Sequence, residues 1–93
     1  MQLESLDTHC GVVTFDLKPT RAGFYGVTVR CDGREVYVVS DGYHPVNPRA
    51  DWRECIVDFA CYDAERGVIP AEHAAFWRTH GEAIQCYLLP EED

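Results

Sequence analysis

The 93-residue chain is predicted to form one α+β domain, an antiparallel β-meander with two helices packed on one face of the sheet. Alternating apolar residues over positions 12–40 surround an Asp-Gly turn, which is typical of hairpin strands. Apolar residues at helical spacing follow over positions 47–81, with start and stop signals. A last alternating segment completes the order β-β-β-α-α-β. The length indicates a single domain over residues 1–93, with residues 1–8 and 90–93 able to fray. Leu3 and Leu6 could instead form a short turn or an edge segment.

Three strands are predicted in the first half of the chain. Val13, Phe15 and Leu17 alternate with less apolar neighbours, which indicates a first strand from Cys10 onward, before a loop at residues 18–23. Asp32 and Gly33 fit a two-residue hairpin turn, because both positions of such a turn need positive φ. The strands on either side of this turn are Phe24–Cys31 and Arg34–Ser40.

The main helix is predicted over Asn47–Gly67. Asn47 can cap its start, Pro48 suits the first turn, and Gly67 suits the stop. Its predicted buried stripe is Trp52, Cys55, Ile56, Phe59 and Tyr62, and its opposite stripe is Glu54, Asp58, Cys61 and Glu65. The segment 55–62 also suits a strand, but the end signals and the helical spacing favour a helix.

A turn-rich connector, Asp41–Val46, precedes this helix, and a second helix follows it. Pro70 marks the start of the second helix and Gly81 its end, with alanine-rich sequence between them. The alternation of Ile84, Cys86 and Leu88 predicts a final strand over Ala83–Leu89.

The net charge of −8 is unevenly distributed. Six acids face four bases up to Val46, whereas ten acids face four bases from Asn47 on. Such a field repels nucleic acid and anionic membranes and attracts basic surfaces. The N-terminal residues lack the pattern of a secretory signal, so we expect a cytoplasmic protein.

Five cysteines without a CxxC pair indicate free thiols rather than a disulfide framework or a zinc site. Cys31, Cys55 and Cys86 fall in apolar patterns and are predicted to be core residues.

Candidate catalytic or metal-binding groups each have a simpler structural interpretation. His73 and His80 are separated by about 10 Å along a helix, too far to share an ion unaided. His9 and Cys10 would point to opposite faces of a strand. Acids beside Cys61 would raise the pKa of its thiol. His44 could act as a general base, but no second polar group can be named for it. We therefore expect no enzyme, no metal and no cofactor.

The remaining candidate is a protein-binding surface. Exposed acids on the main helix are usually only solvated, but acids repeating at each helical turn could also imitate a row of phosphates. Aromatic side chains are common anchors of interfaces. The predicted partner-binding residues are Glu54, Asp58, Glu65, Asp51, Tyr43, His44 and Trp77, with Asp63 and Glu72 as extensions of the acidic surface.

These observations favour a small acidic inhibitor that occupies the basic, Arg/Lys-rich surface of a nucleic-acid-binding machine, without binding nucleic acid or membrane itself. In size, charge and lack of catalytic motif the chain is similar to phage-borne anti-CRISPR and anti-restriction proteins, although no residue motif carries the similarity. The alternatives are a small enzyme or enzyme subunit using His44 or Cys61, a metal-binding module using His73, His80 and a cysteine, and a homodimerisation module joined through a sheet edge or through Phe76 and Trp77.

Overall fold

A computed structural model describes residues 2–44 and 52–89, and it has the predicted α+β class. Four strands form one antiparallel meander in the order β1-β2-β3-β4, and two helices follow. The elements are β1 (Gln2–Thr8), β2 (Gly11–Arg21), β3 (Phe24–Cys31), β4 (Arg34–Tyr43), α1 (Trp52–Arg66) and α2 (Ala71–Leu88). Neither helix in these described ranges is long and apolar enough to cross a membrane.

The predicted hairpin around Asp32 and Gly33 is confirmed. Both residues have positive φ, 52° and 83°, as this turn requires. The Asp32 carboxylate accepts a hydrogen bond from the Val12 N–H at 2.8 Å, which ties the turn to β2. In β4, Tyr37 pairs with Val29 and Glu35 with Arg30, so Val36 is an extra residue that bulges the strand. This bulge turns both Val36 and Tyr37 into the core.

The core lies between one sheet face and the two helices. The predicted alternation in the first two strands is confirmed, and the buried side chains of β2 and β3 are Val13, Phe15, Leu17, Val27, Val29 and Cys31. The loop predicted at 18–23 is shorter, because β2 continues to Arg21 and only Ala22 and Gly23 form the turn.

Residues Gln2–Thr8 do not fray but form the edge strand β1. The pairing with β2 shifts register between Gln2 and Glu4, so the apolar residues of β1 do not alternate in sequence. Leu6 pairs with Val13 of β2. Glu4 forms an ion pair of 2.7 Å with Arg53 of α1. Residues 90–93 lie outside the described residues.

The predicted final strand at 83–89 is wrong, because α2 continues through Gly81 to Leu88. Trp77, Gly81, Ile84 and Leu88 are all buried and recur at helical spacing, so they form one face of a helix. A methyl group on Gly81 would overlap the Sγ of Cys61 in α1. This glycine therefore allows two helices to approach closely and does not end α2. The same change leaves Cys86, predicted to be buried, exposed.

Helix α1 ends at the predicted glycine but buries a different face. Gly67 has φ 69°, and its N–H donates to Ala64 O while the Val68 N–H donates to Asp63 O. These two bonds form a Schellman motif. The predicted start at Asn47 and Pro48 lies outside the described residues. The buried residues are Trp52, Ile56, Val57, Ala60 and Ala64, so the stripe is rotated by about one residue, or about 100°, from the predicted one.

Candidate functional site

Three exposed carboxylates, Glu54, Asp58 and Glu65, lie along α1, and we call them the acidic ridge. None of the three forms an ion pair with any residue in 2–44 or 52–89, where the ion pairs involve Arg21, Arg30 and Arg53. Asp58 accepts one hydrogen bond from Gln85 Nε2 at 2.7 Å. The charge of the ridge is therefore not neutralised by the described part of the chain.

Two aromatic side chains, Phe59 and Tyr62, lie beside the acidic ridge, and we call them the aromatic pair. Their exposed fractions are 50% and 57%, so the prediction that they belong to the core is wrong. The small residues Ala60 and Ala64 take the buried positions instead, which turns the aromatic pair outward. The guanidinium of Arg66 lies 5.2 Å from the centre of the Tyr62 ring, within range of a cation–π contact.

A cleft of about 390 Å³ lies between β4 and α1. Its lining includes the apolar side chains Val27, Val39, Ile56 and Phe59 and the polar side chains Asp41, His44 and Asp63. Phe59 also borders a shallow depression formed with Asp58, Tyr62 and Glu65. The Phe59 ring thus joins the acidic ridge to the cleft, and together they make one continuous surface.

Tyr43 and His44, two predicted binding residues, lie at this cleft but differ in exposure. The predicted connector begins later than Asp41, because β4 continues to Tyr43. Tyr43 is 8% exposed, and its ring packs edge-on against Phe59 at 6.1 Å between centroids. His44 is exposed and packs against the Phe24 ring at 4.5 Å. His44 is therefore accessible, whereas Tyr43 supports Phe59 from below. Asp51 lies outside the described residues.

A partly buried hydrogen bond links the two walls of the cleft. The Tyr37 hydroxyl donates to the Asp63 carboxylate at 2.8 Å, linking β4 to α1. Burial, followed by the hydrogen bond to Asp63 and its negative charge, raises the pKa of Tyr37 well above its usual value. Tyr37 therefore remains a neutral donor, and Asp63 faces β4, so the prediction that Asp63 extends the acidic surface is wrong.

Trp77, predicted as a binding anchor, is a core residue with 2% exposure. Its Nε1 donates to Val36 O at 2.9 Å, so its polar group is already satisfied within the protein. Phe76 is also buried, at 8% exposure. Neither side chain is available in this conformation to anchor a partner or to join two copies of the chain.

Cys61 is a poor candidate nucleophile. Its side chain is half-buried and faces Gly81 of α2. Burial is the main cause that raises the pKa of the Cys61 thiol, and the negative charges of Asp58 and Glu65 add to it. The predicted direction of the shift is confirmed, and at neutral pH the group is a thiol rather than the reactive thiolate.

Sequence patterns alone missed the exposure of Phe59 and Tyr62. The available signal was the spacing of Ala60 and Ala64, which continues from Ile56 at four-residue steps and indicates a close helix contact. Comparisons with protein-family models, with curated proteins and with solved structures find no match for the chain.

Proposed function

We propose that this protein is an inhibitor that binds a basic surface of a nucleic-acid-binding machine, in the manner of anti-CRISPR and anti-restriction proteins. The observation that supports this best is the exposed Phe59 ring between the exposed acidic ridge and the cleft. Charge and exposed aromatic area thus share one face of α1. We place the partner in the cytoplasm, where the reduced cysteines would be maintained.

The charge on this face selects the chemistry of the partner. Glu54, Asp58 and Glu65 are exposed and have no cation paired with them among the described residues. An Arg/Lys-rich surface would supply the missing cations and would speed association through long-range attraction. The same field opposes direct binding to phosphate backbones, so the partner is a protein and not the nucleic acid itself.

The spacing of the acids supports competition with nucleic acid. Glu54 and Asp58 are four residues apart, which separates them by about 6 Å along the helix axis. Glu65 lies further along the same side of α1, extending the row of negative charge. A basic groove that binds a phosphate backbone recognises such a row mainly through its charge. Binding of this protein would therefore prevent the nucleic acid from binding.

The aromatic pair supplies the apolar part of the contact. Aromatic residues are frequent hot spots because they bury a large area with little conformational freedom to lose. Phe59 is held by the Tyr43 ring beneath it, so its orientation is defined before binding. We therefore expect Phe59→Ala to weaken binding by about 2 kcal/mol, the threshold of a hot spot.

A binding experiment with matched charge changes tests this proposal. The immobilised protein is incubated with proteins previously eluted from a duplex-DNA column, and bound species are then released by duplex DNA. The ridge variant carries Glu54→Lys, Asp58→Lys and Glu65→Lys. The control variant carries Asp7→Lys, Glu35→Lys and Glu82→Lys, which changes the net charge equally at exposed positions elsewhere.

We expect the wild type and the control variant to retain a protein that duplex DNA releases, and the ridge variant to lose it. Equal retention by the ridge variant and the wild type would refute the assigned surface. Retention that duplex DNA does not reverse would refute the competition with nucleic acid.

A further inference from the structure

Three potential metal ligands meet on the side of the molecule formed by the β1–β2 turn and α2. His9 and Cys10 occupy the turn between β1 and β2, and His80 lies on α2. One ligand atom from each residue lies within 4.8 Å of the others. Because His9 and Cys10 are in a turn, the strand rule that would point them to opposite faces does not apply to them. The fold thus brings Cys10 close to His80, which is 70 positions away in sequence.

The spacing of these atoms is close to that of a tetrahedral zinc site. With Zn–N and Zn–S distances of about 2.0–2.3 Å, neighbouring ligand atoms lie about 3.3–3.8 Å apart. The upper limit of 4.8 Å on the present separations is about 1.0–1.5 Å above this range, a difference that side-chain rotation can close. Two imidazoles and one thiolate are ligands that zinc accepts readily. Magnesium and calcium prefer oxygen ligands, so this set favours zinc over them.

One ring nitrogen of His80 has an unsatisfied hydrogen-bonding capacity. Its Nδ1 is buried and has no hydrogen-bond partner among the described residues. The centre of the His80 ring lies 5.1 Å from that of Phe76 and 5.4 Å from that of His9, so two rings restrain the imidazole. Buried polar atoms without a partner are rare in proteins, and a metal ion is one way to satisfy such an atom.

The other two ligands also have supporting neighbours. The Tyr87 ring stacks on His9 with a centroid distance of 6.4 Å. The Thr8 hydroxyl donates to Gly11 O at 2.8 Å and accepts from the Cys10 N–H at 3.2 Å, and its oxygen lies 2.9 Å from Cys10 Sγ, so Thr8 fixes the turn that carries Cys10. Neighbours that restrain ligand side chains in this way favour metal binding because they hold the ligands in place. His9 is exposed, so an ion can enter from solvent.

We propose that His9, Cys10 and His80 bind one Zn²⁺ ion, with a water molecule at the fourth position. Binding releases the proton of the Cys10 thiol to solvent, because the thiolate is the ligand. The site is separate from the acidic ridge and does not depend on the proposed inhibitory role. Since its ligands come from the β1–β2 turn and α2, the ion would fasten the N-terminal edge of the sheet to the second helix.

Titration of the tag-free, reduced protein tests the site. Zn²⁺ affinity is measured by competition with a chelating dye, and Co²⁺ is used as a spectroscopic probe of thiolate coordination. The test variants are His9→Ala, Cys10→Ser and His80→Ala. The matched controls are His73→Ala and Cys86→Ser, which remove the same chemical groups from other positions of α2.

We expect one ion per chain for the wild type and both controls, with a thiolate–cobalt charge-transfer band. Each ligand variant should weaken Zn²⁺ binding by more than about 100-fold, the upper range for losing only a ligand's hydrogen-bond partner. Zn²⁺ should also raise the melting temperature of the wild type and leave that of Cys10→Ser unchanged. Substoichiometric binding by the wild type, or unchanged affinity in Cys10→Ser, would overturn the proposal. Cys10→Ser is nearly isosteric, so its fold can be checked independently by circular dichroism.

Discussion

The contact between Gly81 and Cys61 provides a sharp test of how the two helices pack. At an ordinary position inside a helix, Gly→Ala stabilises a protein by about 1 kcal/mol. Here the added methyl group would overlap the Sγ of Cys61, and overpacking of this kind costs about 1–3 kcal/mol. We therefore expect Gly81→Ala to destabilise the protein by about 0–2 kcal/mol, the difference between the overpacking cost and the helix-propensity gain.

Cys61→Ala removes the group with which the methyl would collide. Alone it should cost about 1 kcal/mol, because it deletes one partly buried atom. In the double variant Cys61→Ala/Gly81→Ala the overlap is gone and the gain in helix propensity remains, so the stability should return to within about 0.5 kcal/mol of the wild type. The coupling between the two sites is then favourable by about 1–3 kcal/mol.

Urea unfolding of the four proteins, followed by circular dichroism, measures this cycle. Glu82→Ala, at the exposed neighbouring position, is the control and should change the stability by no more than about 0.5 kcal/mol. If Gly81→Ala raises the free energy of unfolding by about 1 kcal/mol both in the wild type and in Cys61→Ala, the packing is refuted. Such a result would show that no side chain opposes position 81.

Three further substitutions test other parts of the fold. Gly67→Ala places a side chain at φ 69° where no other atom is near, so urea unfolding should show a loss of about 1–2 kcal/mol. Trp77→Phe removes the hydrogen bond to Val36 O and leaves a void, so the same assay should show a loss of about 2–4 kcal/mol. Tyr37 has a raised pKa in the folded state, so its contribution is complete below about pH 10 and is lost as the pH rises beyond that value. Between pH 10 and 11.5 the free energy of unfolding should therefore fall more steeply in the wild type than in Tyr37→Phe, by up to about 1.4 kcal/mol per pH unit. Equal slopes would contradict the hydrogen bond from Tyr37 to Asp63.

The parts of the fold that sequence predicts well are those determined by local chemistry. Asp32 and Gly33 specify their turn because few other residues accept positive φ, and the alternation through Val13, Phe15 and Leu17 is uninterrupted. Gly67 terminates α1 for the same conformational reason. These features need no information about distant residues.

The errors arise where a distant contact decides between two local possibilities. The sequence of α1 contains two overlapping apolar stripes, and close packing through Ala60 and Ala64 selects the one that excludes Phe59. Gly81 is compatible with a helix stop, but the Cys61 side chain opposite explains why a glycine lies inside α2. The sequence leaves the N-terminal segment open between a turn and an edge strand, because the register shift of β1 hides the alternation.

Some features of the candidate sites are likewise determined by local sequence, and others by contacts between distant residues. Glu54, Asp58 and Glu65 are exposed, as expected from charged residues on the polar side of a helix. The exposure of Phe59 and the burial of Trp77 depend on how the helices rotate against the sheet. The grouping of His9 and Cys10 with His80 depends on the β1–β2 turn meeting α2, which no spacing in the sequence records.

Competition between this protein and nucleic acid for a single partner tests the central proposal most directly. The partner is the protein retained on the wild type and released by duplex DNA, and the measurement is the displacement of labelled duplex from it. We predict that the wild type displaces the duplex completely and that displacement weakens as salt screens the exposed charges. The affinity of the ridge variant for the partner should be lower than that of the charge-matched control by at least about 100-fold, about 2.8 kcal/mol. A stable complex containing the partner, the duplex and this protein together, or equal displacement by the ridge variant, would contradict the proposal.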